Sequence, residues 1–256
     1  MNLNLQDKTL IVTGAASGIG AEVARLARLA GARVIALDRN EPQISVHAYH
    51  PVDLGDPASI DQVIARLPER IDGLCNIAGV PGTAPADLVG RVNYLGLRHL
   101  SEGLLPRLAG GCIVNAASIL GAEWPQRLAA HKALAATAGF AAGSAWLAAN
   151  PVEQATCYQY FKEALIVWSY QNASPWFREH DVRLNCVAPG PVFTPILGDF
   201  VQMLSDERLE RDGRHMKRPA LADEVAAVVL FLCSDAARWV CGANIPVDGG
   251  LAASYV

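Results

Sequence analysis

Short apolar runs alternate with amphipathic segments along the whole chain of 256 residues. The apolar runs predict strands, and the segments between them predict helices. Strands that are nearly all apolar and alternate with helices are typical of a parallel sheet covered on both faces. We therefore expect one doubly wound α/β domain over residues 1–256, with a sheet of about seven strands. The predicted strands are Lys8–Thr13, Arg33–Asp38, Val46–Val52, Ile71–Ile77, Gly111–Ala116, Val182–Val187 and Asn244–Val247. The predicted helices are Gly18–Leu29, Pro57–Leu67, Asp87–Leu108, Thr156–Glu179 and Ala222–Cys233.

Two long segments interrupt this alternation. Residues 120–156 are rich in alanine and predict a helical insertion before the helix that follows. Residues 190–218 begin with prolines and carry apolar side chains, which predicts a lid. Both segments flank the carboxyl edge of the sheet, where open α/β sheets bind ligands.

A glycine-rich loop follows the first predicted strand and opens the first helix. Its glycines are Gly14, Gly18 and Gly20, in the spacing Gly-x-x-x-Gly-x-Gly. Glycine permits a tight turn and lets backbone N–H groups approach a pyrophosphate at a helix N-terminus. The loop, with Ser17 and Ile19, therefore predicts a dinucleotide site.

Asp38 ends the second strand about 20 residues beyond this loop. A carboxylate there accepts hydrogen bonds from ribose hydroxyls and repels a 2′-phosphate, which favours NAD over NADP. Arg39 is the alternative, because a guanidinium could hold that phosphate. Further strand ends add candidate cofactor contacts at Asp53, Leu54, Asn76, Ala78 and Gly79.

Tyr158 and Lys162 are four residues apart within a predicted helix, so both lie on one face. An ammonium group beside a phenol lowers the phenol's pKa and makes proton exchange with a substrate oxygen easier. By itself the spacing is common. Tyr160 is the rival base, but it lies only two residues from Lys162 and thus on another face.

With these motifs in order along the chain, the sequence resembles the short-chain dehydrogenase/reductase family. The resemblance rests on residues 13–20, Asp38, Asp53, residues 76–79, Asn93, Ser118, Tyr158 with Lys162, and the closing residues 247–250. It implies a Rossmann-type fold and bound NAD, with Pro189, Gly190, Val192 and Thr194 as further cofactor contacts. It also implies that Tyr158 is the general acid/base, that Lys162 lowers its pKa and binds the nicotinamide ribose, that Ser118 holds the substrate oxygen, and that Asn93 supports the lysine.

The position of the serine departs from the usual spacing of this family. In the family it usually precedes the tyrosine by about 13 residues, whereas Ser118 precedes Tyr158 by 40. Ser144 has the usual spacing but lies inside the alanine-rich insertion. Ser118 directly follows an apolar strand, which would bring it to the carboxyl edge of the sheet, and we favour it.

The insertion makes the chain similar to a smaller subgroup, the bacterial 3α-hydroxysteroid dehydrogenase/carbonyl reductases and the coniferyl-alcohol dehydrogenases. We expect an oxidoreductase acting on a bulky apolar alcohol or carbonyl compound. An aromatic allylic alcohol such as coniferyl alcohol is the favoured substrate. A hydroxysteroid dehydrogenase and a non-catalytic NAD-binding regulator are the alternatives. Trp124 could stack on an aromatic substrate or only pack the insertion. In most of the family the tyrosine helix pairs between subunits, so the insertion suggests a homodimer or homotetramer using other faces.

Composition narrows the other possibilities. The formal net charge of −4, without blocks of like charge, gives no reason to expect a nucleic-acid partner. Six cysteines without a Cys-x-x-Cys pair, and six scattered histidines, predict free thiols and no metal site. Free thiols, with no visible signal peptide, fit the cytoplasm. The run Ala133–Ala149 is too short for a membrane span.

Overall fold

Seven parallel strands form one sheet in the computed structural model, which describes residues 5–255. The strand order is β3-β2-β1-β4-β5-β6-β7. The strands are β1 (Thr9–Thr13), β2 (Arg33–Asp38), β3 (Ala48–Pro51), β4 (Gly73–Asn76), β5 (Cys112–Ala116), β6 (Arg183–Pro189) and β7 (Asn244–Val247). The order reverses between β1 and β4, which creates the crevice where such sheets bind ligands. The predicted fold is confirmed, although residues 1–4 and 256 of the expected domain lie outside the described residues.

Helices cover both faces of this sheet. They are α1 (Gly18–Leu29), α2 (Pro57–Ile64), α3 (Ala86–Gly90), α4 (Leu97–Leu104), α5 (Leu128–Ala135), α6 (Gly139–Ala149), α7 (Cys157–His180), α8 (Leu197–Met203), α9 (Asp206–His215) and α10 (Ala222–Cys233). One apolar core lies between the sheet and α1 with α10. The other lies between the sheet and α2, α4 and α7.

The helix predicted over Asp87–Leu108 is interrupted. A π-helical segment, Arg91–Gly96, separates α3 from α4, and a 3₁₀ turn follows α4. A Cβ atom on Gly96 would lie 2.0 Å from the carbonyl oxygen of Leu54, so this segment packs directly on the loop after β3. Such one-turn bulges are frequent at functional sites, and this one carries Asn93.

The insertion consists of α5 and α6, and buried charged groups anchor it to the rest of the chain. Arg98 on α4 is 5% exposed. It donates hydrogen bonds to Thr137, which follows α5, and to the carbonyl oxygen of Leu134, which lies within α5. On the other side, Glu163 of α7 contacts Arg127 and His131 of the insertion. The insertion is therefore an integral part of the packed core.

The lid contains α8 and α9 and closes over the carboxyl edge of the sheet. Thr83 donates a hydrogen bond to Asp199 of α8 at 3.0 Å. The backbone N–H of Gly82 donates to the sulfur of Met203 at 3.1 Å. The lid is thus held against the loop that follows β4.

All six cysteines are free thiols, as the sequence predicts. Among the described residues, no helix is both long enough and apolar enough to cross a membrane. Within the same part of the chain, no group of histidine, cysteine and acidic side chains is arranged to hold a metal ion.

Candidate active site

A cleft of about 390 Å³ runs along the carboxyl edge of the sheet and is bounded by the lid. It passes the point where the strand order reverses, as expected for a ligand site in an open α/β sheet. Most residues predicted to bind cofactor line it. These are Gly14, Ser17, Gly18, Ile19, Gly20, Asp38, Asp53, Leu54, Ala78, Gly79, Tyr158, Lys162, Pro189, Gly190, Val192 and Thr194.

The glycine loop has the shape that a pyrophosphate requires. Gly14 has a φ of 70°, and a Cβ there would lie 2.8 Å from the Cα of Ala78. A Cβ on Gly20 would lie 2.1 Å from the carbonyl oxygen of Gly14. Side chains at these positions would close the loop, whereas glycine leaves backbone N–H groups accessible at the start of α1. The loop therefore fits a dinucleotide.

Asp38 is held at the end of β2 by two backbone groups. Its carboxylate accepts hydrogen bonds from the N–H of Ala16 and the N–H of Asn40, each at 3.0 Å. The side chain also lines the cleft, as does Arg39 beside it. A fixed carboxylate at this point fits the hydroxyls of a ribose and disfavours an added phosphate.

Ser118 and Tyr158 meet in the cleft. Ser118 follows β5 and is 7% exposed, as is Tyr158 on α7. Both side chains line the same part of the molecule's cleft, and Ser118 is near enough to Tyr158 to act on its pKa. Such an arrangement can hold an alcohol or carbonyl oxygen and exchange a proton with it.

Lys162 lies beside Tyr158 on α7. Its ammonium group donates a 2.6 Å hydrogen bond to the carbonyl oxygen of Ala116 and lies 5.6 Å from the centre of the Tyr158 ring. Burial raises the pKa of Tyr158, and Ser118 only partly opposes this. Burial also lowers the pKa of Lys162 to about 8. Desolvation therefore dominates both pKa values, and the expected lowering of the tyrosine pKa by Lys162 stays a prediction.

Asn93 is fully buried and binds the chain just beyond Gly79. Its side-chain oxygen accepts from the N–H of Val80 at 2.8 Å, and its nitrogen donates to the carbonyl oxygen of Val80 at 2.9 Å. A Cβ on Gly79 would lie 3.2 Å from the Asn93 oxygen and 3.8 Å from the Lys162 nitrogen. Asn93 thus shapes the cleft wall beside Lys162 and does not itself line the cleft.

Asn76, a predicted cofactor contact, has its side chain behind the cleft wall and does not line the cleft. It is fully buried and donates hydrogen bonds to Ser101 and Asn115, both at 2.8 Å. Its position at the end of β4 made it a candidate from the sequence. The side chain instead points into the core, because successive side chains of a strand alternate between the two faces.

Three residues whose roles the sequence left open do not line the cleft. Ser144 is on α6 and does not line the cleft. Tyr160 packs its ring against His131 and Phe161. Trp124 packs edge-on against Tyr170, so it packs the start of the insertion instead of lining the cleft.

The cleft also contains residues that the sequence did not single out. Ile119 and Leu120 follow Ser118 and line it, and Leu204 and Asp212 line it from the lid. The two leucines and the isoleucine match the apolar character predicted for the substrate site. Asp212 had no such signal, since it lies in a helix where most side chains are charged.

Comparison with known proteins agrees with this geometry. Residues 14–252 match the family model described as enoyl-(acyl carrier protein) reductase. The chain is 58% identical over 255 residues to the coniferyl-alcohol dehydrogenase of Pseudomonas sp. strain HR199. That alignment covers 99% of this chain and 100% of the other protein. The chain belongs to the short-chain dehydrogenase/reductase family. It is therefore an oxidoreductase, and the alternative of a non-catalytic regulator loses its support.

Two further relatives of this short-chain dehydrogenase/reductase are steroid enzymes. The chain is 33% identical over 249 residues to the 3-alpha-hydroxysteroid dehydrogenase/carbonyl reductase of Comamonas testosteroni, covering 94% of this chain and 95% of that protein. It matches the crystal structure of the 3-alpha-hydroxysteroid dehydrogenase from Pseudomonas sp. B-0831 complexed with NADH, with a TM-score of 0.81 and 30% identity. That match covers 97% of this chain and 98% of the other. The predicted family and fold are confirmed.

Proposed function

We propose that this protein is an NAD-dependent dehydrogenase that interconverts a coniferyl-type aryl allylic alcohol and the corresponding aldehyde. The observation that carries the proposal is the 58% identity to a coniferyl-alcohol dehydrogenase over essentially the full chain. The fixed carboxylate of Asp38 and the NADH bound by the steroid enzyme of similar fold support NAD as the cofactor. The apolar side chains of Leu120 and Leu204 support a bulky apolar substrate.

The site residues have distinct roles in this proposal. Ser118 and Tyr158 bind the substrate oxygen, and Tyr158 moves a proton to or from it. NAD, when bound, supplies the acceptor for the hydride. Lys162 is fixed by Ala116 close to Gly79, where it is placed to bind a ribose hydroxyl. Asn93 keeps the adjoining backbone in place through Val80.

A panel of alcohols assayed with NAD and NADP tests this function through the absorbance of the reduced cofactor. Coniferyl and cinnamyl alcohols should be oxidised with NAD far faster than 3α-hydroxysteroids. A 3α-hydroxysteroid dehydrogenase is the second candidate, because the steroid enzymes share 33% and 30% identity with this chain. Faster turnover of the steroids would favour that candidate, and tight NAD binding without any turnover would favour a regulator.

We also propose that the protein acts as one catalytic domain in the cytoplasm and assembles as a homodimer or homotetramer. The support is the position of α5, which packs along α7 and covers part of the tyrosine helix. Subunit contacts would then use other faces. Analytical ultracentrifugation tests the assembly, and a monomer that persists at every concentration would contradict it.

A further inference from the structure

Two aromatic side chains occur among the described residues that line the cleft. One is Tyr158, the proposed acid/base, and the other is Phe200 on α8 of the lid. Their rings meet edge to face, with centres 5.0 Å apart and planes inclined at 72°. This contact places Phe200 at the end of the cleft where Ser118 and Tyr158 bind the substrate oxygen.

The helix that carries Phe200 is held in place on both sides of the ring. Asp199, the preceding residue, accepts a hydrogen bond from Thr83 at 3.0 Å. Met203, almost one turn further along α8, accepts a hydrogen bond from the backbone N–H of Gly82 at 3.1 Å. Phe200 itself is only partly buried, so part of its ring is free to contact a ligand in the cleft.

Much of the remaining wall of the cleft is aliphatic. Ile119 and Leu120 line the cleft after β5, and Ile196 and Leu204 line it from the lid. Aliphatic side chains favour alkyl and aryl groups alike, because the gain depends on the apolar area that is buried. An aromatic side chain distinguishes them, because the positive edge of one ring attracts the negative face of another. Phe200 is therefore suited to recognise an aromatic ring.

We propose that Phe200 determines specificity for aryl alcohols by packing its ring against the aromatic ring of the substrate. This inference rests on the proposed function and deepens it. In a cinnamyl-type alcohol a short allylic chain joins the reacting hydroxyl to the ring. A hydroxyl bound by Ser118 and Tyr158 therefore leaves the substrate ring close to Phe200. An alkyl group of similar size would fill the same space without the interaction between two rings.

The test compares cinnamyl alcohol with 3-cyclohexylprop-2-en-1-ol, in which a cyclohexyl group replaces the phenyl ring. Phe200→Leu should lower the ratio of kcat/KM for cinnamyl alcohol to kcat/KM for the cyclohexyl alcohol by about 3- to 10-fold, the usual effect of losing one pair of rings. Phe200→Tyr keeps an aromatic ring and should hold the ratio within about 2-fold of its original value. The ratio is the readout because weaker support of the Tyr158 ring would slow both alcohols alike.

Phe193→Leu is the matched control, because Phe193 is 51% exposed in the lid and does not line the cleft. It should leave the ratio unchanged. If Phe200→Leu turns over too slowly, the ratio of Kd values for cinnamamide and 3-cyclohexylacrylamide, which carry no oxidisable hydroxyl group, gives the same comparison.

Two results would overturn the inference while the proposed function stands. One is a ratio that Phe200→Leu leaves unaltered, which would mean that Phe200 only packs against Tyr158. The other is a ratio that Phe193→Leu lowers equally. If the unaltered enzyme oxidises neither alcohol, the proposed function itself fails, and this inference fails with it.

Discussion

The Oε2 atom of Glu163 on α7 and the Nε2 atom of His131 on α5 lie 2.7 Å apart, and both side chains are fully buried. The Oε1 atom of the same carboxylate accepts a hydrogen bond from Arg127, also at 2.7 Å. Glu163 directly follows Lys162 in the chain. The insertion therefore binds α7 at the turn that carries Lys162.

Loss of this buried charge should destabilise the protein. Glu163→Gln keeps the size of the side chain but leaves Arg127 without its ionic partner, so we expect the free energy of unfolding to fall by about 2–4 kcal/mol. Urea denaturation measures the change. Glu153→Gln is the control, because Glu153 is exposed, and it should unfold like the unaltered protein. Equal stabilities of the two variants would contradict the anchoring role of Glu163.

The role of Tyr158 can be separated from that of its neighbour on the same helix. Tyr158→Phe removes the proton donor and should lower kcat by about 100-fold or more. NAD affinity, measured by titration calorimetry, should change little because the ring remains. Tyr160→Phe is the control, since the Tyr160 ring packs against His131 outside the cleft. Full activity of Tyr158→Phe would exclude Tyr158 as the acid/base.

Two serines compete for one role, and kinetics can decide between them. Ser118→Ala removes a hydroxyl that lines the cleft with Tyr158 and should lower kcat/KM by about 100-fold. Ser144→Ala alters a helix outside the cleft and should retain activity. The assignment of Ser118 is wrong if Ser144→Ala proves the more damaging change.

Cofactor preference should depend on the carboxylate of Asp38. Asp38→Asn keeps an oxygen that can accept from Ala16 but removes the charge that repels a 2′-phosphate. We expect the Kd for NAD to rise by about 10-fold and the preference for NAD over NADP to shrink. Glu41→Gln, an exposed acid nearby, serves as the control. An unchanged ratio of NAD to NADP affinity would show that another group selects the cofactor.

The buried Lys162 should make stability depend on pH. Burial lowers its pKa from 10.5 to about 8, so the unfolded chain holds a proton that the folded protein has released between these values. Stability therefore rises with pH across that window, and the full cost of burying the charge, about 3 kcal/mol, is present below pH 8. Lys162→Met lacks this titration.

Urea denaturation at pH 7.5 and pH 9.5 measures the effect. The difference in stability between Lys162→Met and the unaltered protein should shift in favour of the unaltered protein at the higher pH. Lys132→Met, which alters an exposed lysine, should show no such shift. Parallel pH curves for Lys162→Met and the unaltered protein would contradict a lowered pKa of Lys162.

The strands themselves and the position of the cleft follow from patterns visible in the sequence. One apolar run ends in Asp38, and another directly precedes Ser118. Because parallel strands all end at the same edge of the sheet, both side chains are predicted to lie at its carboxyl edge. The glycine loop is equally local, since its residues are consecutive. Local patterns of this kind are sufficient to place most of the candidate site.

Other features depend on contacts between distant residues. Asn76 faces the core because Ser101 and Asn115 are there to bind it, and no local pattern encodes those partners. The π-helical segment at Asn93 packs against the loop after β3, a contact between residues far apart in the sequence. The raised pKa of Tyr158 depends on its burial, and Phe200 of the lid packs against its ring. Asp212 lines the cleft because the lid places α9 there.

The contact between Phe200 and Tyr158 also makes the lid part of the wall around the reacting atoms. The two rings meet edge to face, with their centres 5.0 Å apart, and both line the cleft. A substrate whose oxygen reaches the phenol therefore lies against α8. Any movement of that helix changes the space available to the substrate and to the departing product.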